Sequence, residues 1–310
     1  MKSNQNYLIV VVGPTAIGKT ALAIELAQHF GCDIVSCDSR QFYKEMTIGT
    51  AVPSPEELSA VHHHFIQNKS IEEDYSVGMY EEEVLPLLDR LFEKNNIQVA
   101  VGGSGLYVDA ILKGFDVFPE VSEQIKDEIE QSYDRLGLEY LQHMLQKLDP
   151  FYFAHLNESN PQTLVNPQRM KRFVSVSVAA NAPYSSFLNQ KKNIRNFTPV
   201  LIGLEADRPL MYERINLRVD LMMQQGLLTE VKALQPKQYL NALQTVGYRE
   251  LFRYLNGELS LEEATEEIKK NTRRFAKRQL TWFKNNTDIR WFSFREPLQN
   301  ILSYINEFTR

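Results

Sequence analysis

The chain has 310 residues, 43% hydrophobic and 24% charged, the balance of a globular protein with room for one large domain or two smaller ones. Its longest N-terminal apolar run, Leu8–Val12, is too short for a bilayer span or a signal-peptide core, so no membrane is expected and a cytoplasmic location is read, with Cys32 and Cys37 as reduced thiols. The net charge of −5 argues weakly against a nucleic-acid partner, but it hides segregation. Residues 120–149 and 258–267 are acidic, whereas 169–172, 191–195 and 269–278 are basic, and local distribution decides phosphate binding.

In chain order, Tyr7–Val12 reads as a buried strand, followed by a glycine loop and a helix over Ala21–Phe30 that Gly31 closes. Asp33–Cys37 reads as a second strand, Glu81–Lys94 as a helix, and Gln98–Val101 as a third buried strand ending on Gly102-Gly103. From about Asp116 the apolar spacing becomes helical, over Glu123–Leu148 and again through Gln168–Ala180. A strand returns at Pro199–Leu204, and Asp207 with Pro209 marks the start of a further helix. The alternation predicts an α/β fold: a P-loop-type parallel sheet core with helices on both faces and a helical insertion domain. Residues 1–115 hold the first part of the core, 116–198 the insertion, and 199–310 the core's continuation with basic C-terminal helices.

Gly13-Pro14-Thr15-Ala16-Ile17-Gly18-Lys19-Thr20 matches G-x-x-x-x-G-K-[ST] in full, directly after a strand and opening a helix. The glycines let backbone N–H groups turn toward phosphate oxygens at the positive end of a helix dipole. Lys19 neutralises terminal phosphates and the Thr20 hydroxyl suits Mg²⁺, the one cofactor expected. A kinase, an NTPase and a transferase expelling diphosphate all need this cradle. Asp38, at the tip of the second strand, suits a metal ligand, a general base or a turn cap. Val101–Tyr107 is a second glycine turn, in which Ser104 offers a hydroxyl.

Asp38-Ser39-Arg40-Gln41-Phe42-Tyr43, Ile48-Gly49-Thr50-Ala51, the Gly102–Tyr107 turn, Val246-Gly247-Tyr248-Arg249 and Ala276-Lys277-Arg278-Gln279 follow the P-loop in this order. Over nearly the whole chain this set resembles the tRNA isopentenyltransferase family. The resemblance implies transfer of a prenyl group from dimethylallyl diphosphate to N6 of the adenosine 3′ of the anticodon in tRNA. Gly13, Thr15, Ala16, Ile17, Gly18, Lys19 and Thr20 are then expected to hold the diphosphate, with Thr20 on the metal. Asp38 is the expected general base, Ser104 a catalytic hydroxyl, and Arg218, four residues after Arg214 on one helix, the arginine reaching the diphosphate. Contacts to tRNA are expected from Asp38, Ser39, Arg40 and Gln41, and from Gln168, Arg169, Met170, Lys171 and Arg172 in a tRNA-facing insertion. Gly247, Tyr248 and Arg249 are expected to join them, with Arg274, Lys277 and Arg278 on a basic helix that Trp282 and Phe283 follow. The partners are tRNA and dimethylallyl diphosphate, and the chain is read as a monomer.

Departures from the family pattern fall at Val52 in place of Lys, at His62-His63-His64 in place of Pro-His-His, at Ser175 in place of Glu and at Asn181 in place of Gly. The histidine run reads as a loop or capping feature, since adjacent histidines converge poorly on one metal. Two rival readings are a prenyltransferase of free adenine nucleotides and an RNA-binding P-loop NTPase. The insertion and the basic helix argue against the first; the joint presence of Lys19, Thr20 and Asp38 argues against a module without catalysis.

Overall fold

The computed structural model describes residues 5–190 and 194–309, which leaves Lys191 and Lys192 of the basic stretch outside the described residues. The chain divides into two compact units, one built from the two ends of the chain up to Gly114 and from Arg195 onward, the other from Phe115–Ile194. Among the described residues no helix is long and apolar enough to cross a membrane.

The first unit is a six-stranded parallel sheet. Its strands are β1 (Asn6–Val12), β2 (Ile34–Ser36), β3 (His63–His64), β4 (Ile97–Gly102), β5 (Phe197–Glu205) and β6 (Arg290–Ser293), in the order β3-β2-β4-β1-β5-β6. Leu8 to Val12 are all buried because a central parallel strand is covered on both faces. On one face Ile9 and Val11 pack with Leu22 and Leu26 of α1 (Lys19–Phe30) and with Ile301 and Ile305 of α13 (Leu298–Thr309). The intervening elements are α2 (Pro55–Ala60), α3 (Val77–Phe92) and α4 (Gly105–Leu112). Tyr80 of α3 is fully buried and its hydroxyl donates to the Ser36 carbonyl at 2.8 Å, which ties that helix to the tip of β2.

After β5 come α9 (Arg208–Gln224), α10 (Leu227–Leu234), α11 (Tyr248–Leu255) and α12 (Leu261–Lys284). Val219, Leu227, Val231, Tyr248, Leu251 and Ile268 close with Phe42 and Met46 into a second core, which fixes the 42–46 segment against these helices. Helix α12 opens with a reciprocal cap between Ser260 and Glu263, so part of the acidic run preceding the basic stretch serves the helix terminus. Asp207 occupies the N-cap position of α9, but its side chain makes no capping hydrogen bond.

The second unit is helical: α5 (Glu123–Leu148), α6 (Pro150–Ser159), α7 (Pro161–Leu164) and α8 (Pro167–Ala180), around Leu141, Leu145, Met170, Val174 and Val176. Helix α5 is broken at Gly137, whose φ of 74° lies in the left-handed region and interrupts the helical period. Asn181 ends α8 with φ 49° and ψ 41°, a left-handed cap that Asn tolerates nearly as well as the expected glycine.

Candidate active site

The phosphate loop leaves β1 and turns into α1 within six residues, 13–18. Gly13 has φ +145°, and a Cβ there would come within 2.6 Å of the Leu204 carbonyl, so only glycine lets the loop pass β5. The loop is braced from outside. Arg214 of α9 donates through Nε to the Ala16 carbonyl at 2.9 Å, where Ala16 itself holds φ 64°. Gln279 of α12 accepts from the Thr15 N–H at 2.9 Å and donates to the Gly103 carbonyl at 2.9 Å, joining the two glycine turns. Lys19 folds back to the Pro14 carbonyl at 2.8 Å. Burial, with the Arg218 charge beside it, brings the Lys19 ammonium down to about 7 against the opposing pull of Asp38.

Asp38 follows β2 and caps its own turn, accepting from the N–H of Arg40 at 2.9 Å and of Gln41 at 3.4 Å, both through Oδ1. The turn-cap role is thus realised, and it leaves Oδ2 for other chemistry. Cys37 next to it is not a nucleophile, because burial pushes its thiol up to about 12. Ser104 heads α4; its hydroxyl accepts from the Ser39 N–H at 3.0 Å and donates to the Ser39 hydroxyl at 3.1 Å. Arg218 makes no hydrogen bond or ion pair among the described residues. Burial lowers its pKa, Asp38 and Glu57 pull it back up, and Arg214 opposes them.

Thr15 of the phosphate loop, Asp38, Ser104 and Arg218 meet at one cavity of about 230 Å³. These four form its polar side, and Ile215, Val219, Met222, Ile268 and Phe275 its apolar side. Gly49, Thr50 and Ala51 close it from the Ile-Gly-Thr-Ala segment. That segment is fixed by Glu230, whose carboxylate accepts from the N–H groups of Thr47, Ile48 and Gly49 at 3.0, 2.7 and 3.0 Å. The Tyr248 hydroxyl donates to the same carboxylate at 2.6 Å, and its ring lies where a Cβ on Gly49 would sit, at 2.4 Å. A larger cavity of about 350 Å³ is lined by Val108, Asp109, Lys113 and Trp282, with an Asp109–Lys113 pair 3.0 Å apart and the Trp282 indole N–H on Asp109 at 3.1 Å.

Burial corrects some of the expected RNA contacts, and other basic or polar residues are engaged within the chain. Met170 and Tyr248 are both fully enclosed and serve packing, and Gly247 is buried as well. Arg40 spends its guanidinium on the carbonyls of Asn241 and Ala242 at 3.1 and 3.0 Å, and the Gln41 amide donates to those of Thr50 and Ala51. Lys171 pairs with Glu130 at 2.5 Å and lies 4.0 Å over the Tyr133 ring. Outside that set, Arg195 of the basic stretch 191–195 closes on Ala110, Ile111 and Glu81. Phe283 is buried, whereas Trp282 is exposed and its indole N–H donates to Asp109 at 3.1 Å. Exposed residues of the expected set are Gln168, Arg169, Arg172, Arg249, Arg274, Lys277 and Arg278. On α12 the neighbouring stripe faces inward: Lys269 pairs with Asp220 and Glu266, and Arg273 donates to Asn216.

Glu230 and Gln279 escaped the sequence-level assignment of roles. Gln279 lay inside a quoted motif, but its amide bridge to Thr15 depends on a helix 264 positions away in the chain. Glu230 lies outside every quoted motif.

A phosphate loop whose Thr15 borders a cavity with polar and apolar walls, with the Asp38 carboxylate beside it, is the arrangement of a P-loop enzyme. The family model described as IPP transferase matches residues 41–286. The chain is 63% identical to a tRNA dimethylallyltransferase of Flavobacterium johnsoniae, over 97% of each chain. It is 42% identical to tRNA dimethylallyltransferase 1 of Bacteroides fragilis, over 96% of this chain and 97% of that one. The full-length tRNA isopentenylpyrophosphate transferase of Bacillus halodurans superposes with a TM-score of 0.70 at 33% identity, covering 98% of this chain and 95% of that one. A eukaryotic dimethylallyltransferase structure, at 23% identity and TM-score 0.83 over 98% of this chain and 79% of that one, shares the fold. The chain belongs to the IPP transferase family.

Proposed function

We propose that this chain transfers a dimethylallyl group from dimethylallyl diphosphate to N6 of the adenosine 3′ of the anticodon in tRNA, releasing diphosphate. The observation that carries the reading is the composite cavity beside the phosphate loop, polar at Thr15, Asp38, Ser104 and Arg218 and apolar opposite, in a chain 63% identical to a tRNA dimethylallyltransferase.

The diphosphate sits in the loop of Gly13, Thr15, Ala16, Ile17, Gly18, Lys19 and Thr20, with the hydrocarbon against Ile215, Val219 and Met222. Lys19 and Arg218 stabilise the charge that grows on the leaving diphosphate. Arg218 suits this task because it is half-buried and has no protein partner to give up. Asp38 takes the proton from the exocyclic amine, whose delocalised lone pair makes it a poor nucleophile without such help. Ser104, tied to Ser39, presents its hydroxyl to the cavity that Asp38 also lines. The adenosine must leave its stack to reach this depth, so the target base is flipped.

The residues fit Mg²⁺. Thr20 and Asp38 offer hard oxygens, and the Thr20 hydroxyl has no protein partner among the described residues. When bound there, Mg²⁺ would offset negative charge on the leaving diphosphate. The exposed Arg274, Lys277 and Arg278 contact tRNA phosphates, and Gln168, Arg169, Arg172, Ser39 and Arg249 complete the RNA-contacting set. The chain works as a cytoplasmic monomer.

Nucleoside mass spectrometry of tRNA from cells with and without the gene tests the reading. Loss of N6-dimethylallyladenosine on deletion is expected; unchanged levels overturn it. Equal turnover on AMP and tRNA favours the free-nucleotide reading, and phosphate release from ATP without a prenyl donor favours the NTPase.

A further inference from the structure

Three groups meet at the amino-terminal edge of the sheet, at the opposite end of the strands from the phosphate loop. Asp33 immediately precedes β2, which runs parallel to β3 with Ile34 opposite His63. The Ile34 N–H donates to the His62 carbonyl at 2.9 Å, extending this register by one step, so Asp33 stands across from His62. Alternate residues of a strand share a face. His62 and His64 therefore turn toward Asp33, while His63 turns away and places Nδ1 2.8 Å from the Val61 carbonyl. One ligand atom each from Asp33, His62 and His64 lies within 4.8 Å of the other two. His64 Nε2 is 2.9 Å from Asp33 Oδ2, and the His62 and His64 rings stand edge-on with centroids 4.4 Å apart.

The sequence-based objection that adjacent histidines converge poorly applies to neighbours i and i+1. It does not apply to i and i+2 on one strand. We propose that Asp33, His62 and His64 form a binding site for a divalent transition-metal ion of the Zn²⁺ class. Two imidazoles and one carboxylate are a borderline donor set that favours Zn²⁺ over Mg²⁺. Ligands around a tetrahedral Zn²⁺ stand roughly 3.3 Å apart, as metal–ligand distances near 2.0 Å require. Rotation of the exposed His62 ring closes the remaining gap. Burial lowers the His64 pKa, which favours the neutral ring that a metal needs, whereas the charge of nearby Lys94 opposes an added cation. The role is structural: the ion ties the head of β2 to a two-residue edge strand that has little pairing of its own.

Equilibrium dialysis of the untagged full chain against Zn²⁺, with Mg²⁺ in excess to occupy the reaction site, tests the proposal. One equivalent retained per chain is expected, with a visible d–d band when Co²⁺ replaces Zn²⁺. His62→Ala and His64→Ala should each lower Zn²⁺ affinity at least tenfold and abolish the Co²⁺ band. The His62 ring makes no hydrogen bond among the described residues, so prenyl transfer by His62→Ala should stay unchanged and report an intact fold. No Zn²⁺ retained, or equal retention by wild type and both variants, overturns the proposal and leaves Asp33–His64 as a simple hydrogen-bonded pair.

Discussion

Gln279 accepts a hydrogen bond from the Thr15 N–H at 2.9 Å, so the basic C-terminal helix sets the position of the phosphate loop. The other end of the same amide donates to Gly103, one residue before Ser104. One side chain thus fixes the spacing between the diphosphate cradle and the turn that carries a proposed catalytic hydroxyl. Gln279→Leu removes both bonds and leaves a buried N–H and carbonyl unpaired, a cost of about 1–3 kcal/mol. A fall in kcat/KM of roughly 10- to 100-fold is expected, as that energy is lost from the organised site. Steady-state kinetics check it, with circular dichroism to confirm the fold.

Asp38→Asn keeps an oxygen acceptor for the Arg40 N–H and removes the base. A kcat loss of roughly 10²–10⁴-fold is expected from a missing general base. Binding of dimethylallyl diphosphate should persist. Single-turnover transfer and a separate binding titration separate the two effects; undiminished transfer would contradict the role of Asp38.

Lys19 gives the free site a pH dependence. Its ammonium titrates at about 7, so above that pH the empty site holds a neutral amine. A bound diphosphate favours the protonated form and raises the pKa, so binding takes up a proton. The Lys19 contribution to diphosphate affinity is therefore fully present below pH 7 and weakens by up to about tenfold per unit above it, until the pKa of the bound state is passed. Lys19→Met should bind weakly and remove this slope. Calorimetry in buffers of different ionisation enthalpy measures the proton directly.

Glu230 gathers three backbone N–H groups and the Tyr248 hydroxyl. Glu230→Gln turns charge-assisted bonds into neutral ones and places an amide donor against N–H groups, costing about 1–3 kcal/mol. A lower melting temperature is expected, together with faster amide exchange at residues 47–49. Thermal melts and hydrogen exchange check both.

Replacing Arg274, Lys277 and Arg278 together by Gln should weaken tRNA binding and flatten its salt dependence. The slope of log K against log salt should fall by roughly 0.7–0.9 for each phosphate that is no longer neutralised. Diphosphate binding should not change, which separates an RNA defect from a general one.

The phosphate loop, the parallel core and the change of character near Asp116 were legible in the sequence because each is local. A strand followed by G-x-x-x-x-G-K-[ST], or a run of apolar residues at helical spacing, needs no distant partner to be recognised. The missed features depend on distant residues. Whether Arg40 points at RNA or at the Asn241 carbonyl depends on a turn two hundred positions on. Met170 lies in a basic stretch yet faces inward, because helical period rather than local charge decides which side of α8 is buried. The break at Gly137 was hidden by apolar spacing that continues on both sides of it. The shared face of His62 and His64 depends on the edge strand His63–His64 and on the Ile34–His62 bond that extends its register, neither of which is local in the chain.

The most direct test of the account uses purified chain, dimethylallyl diphosphate labelled in the prenyl group, Mg²⁺ and an anticodon stem-loop bearing the target adenosine. Label should pass to that adenosine alone, with stoichiometric diphosphate release, and should fail when the adenosine is replaced by inosine, which lacks the N6 amine. Label remaining on the donor with the intact stem-loop, or passing equally to the inosine substrate, would contradict transfer to N6.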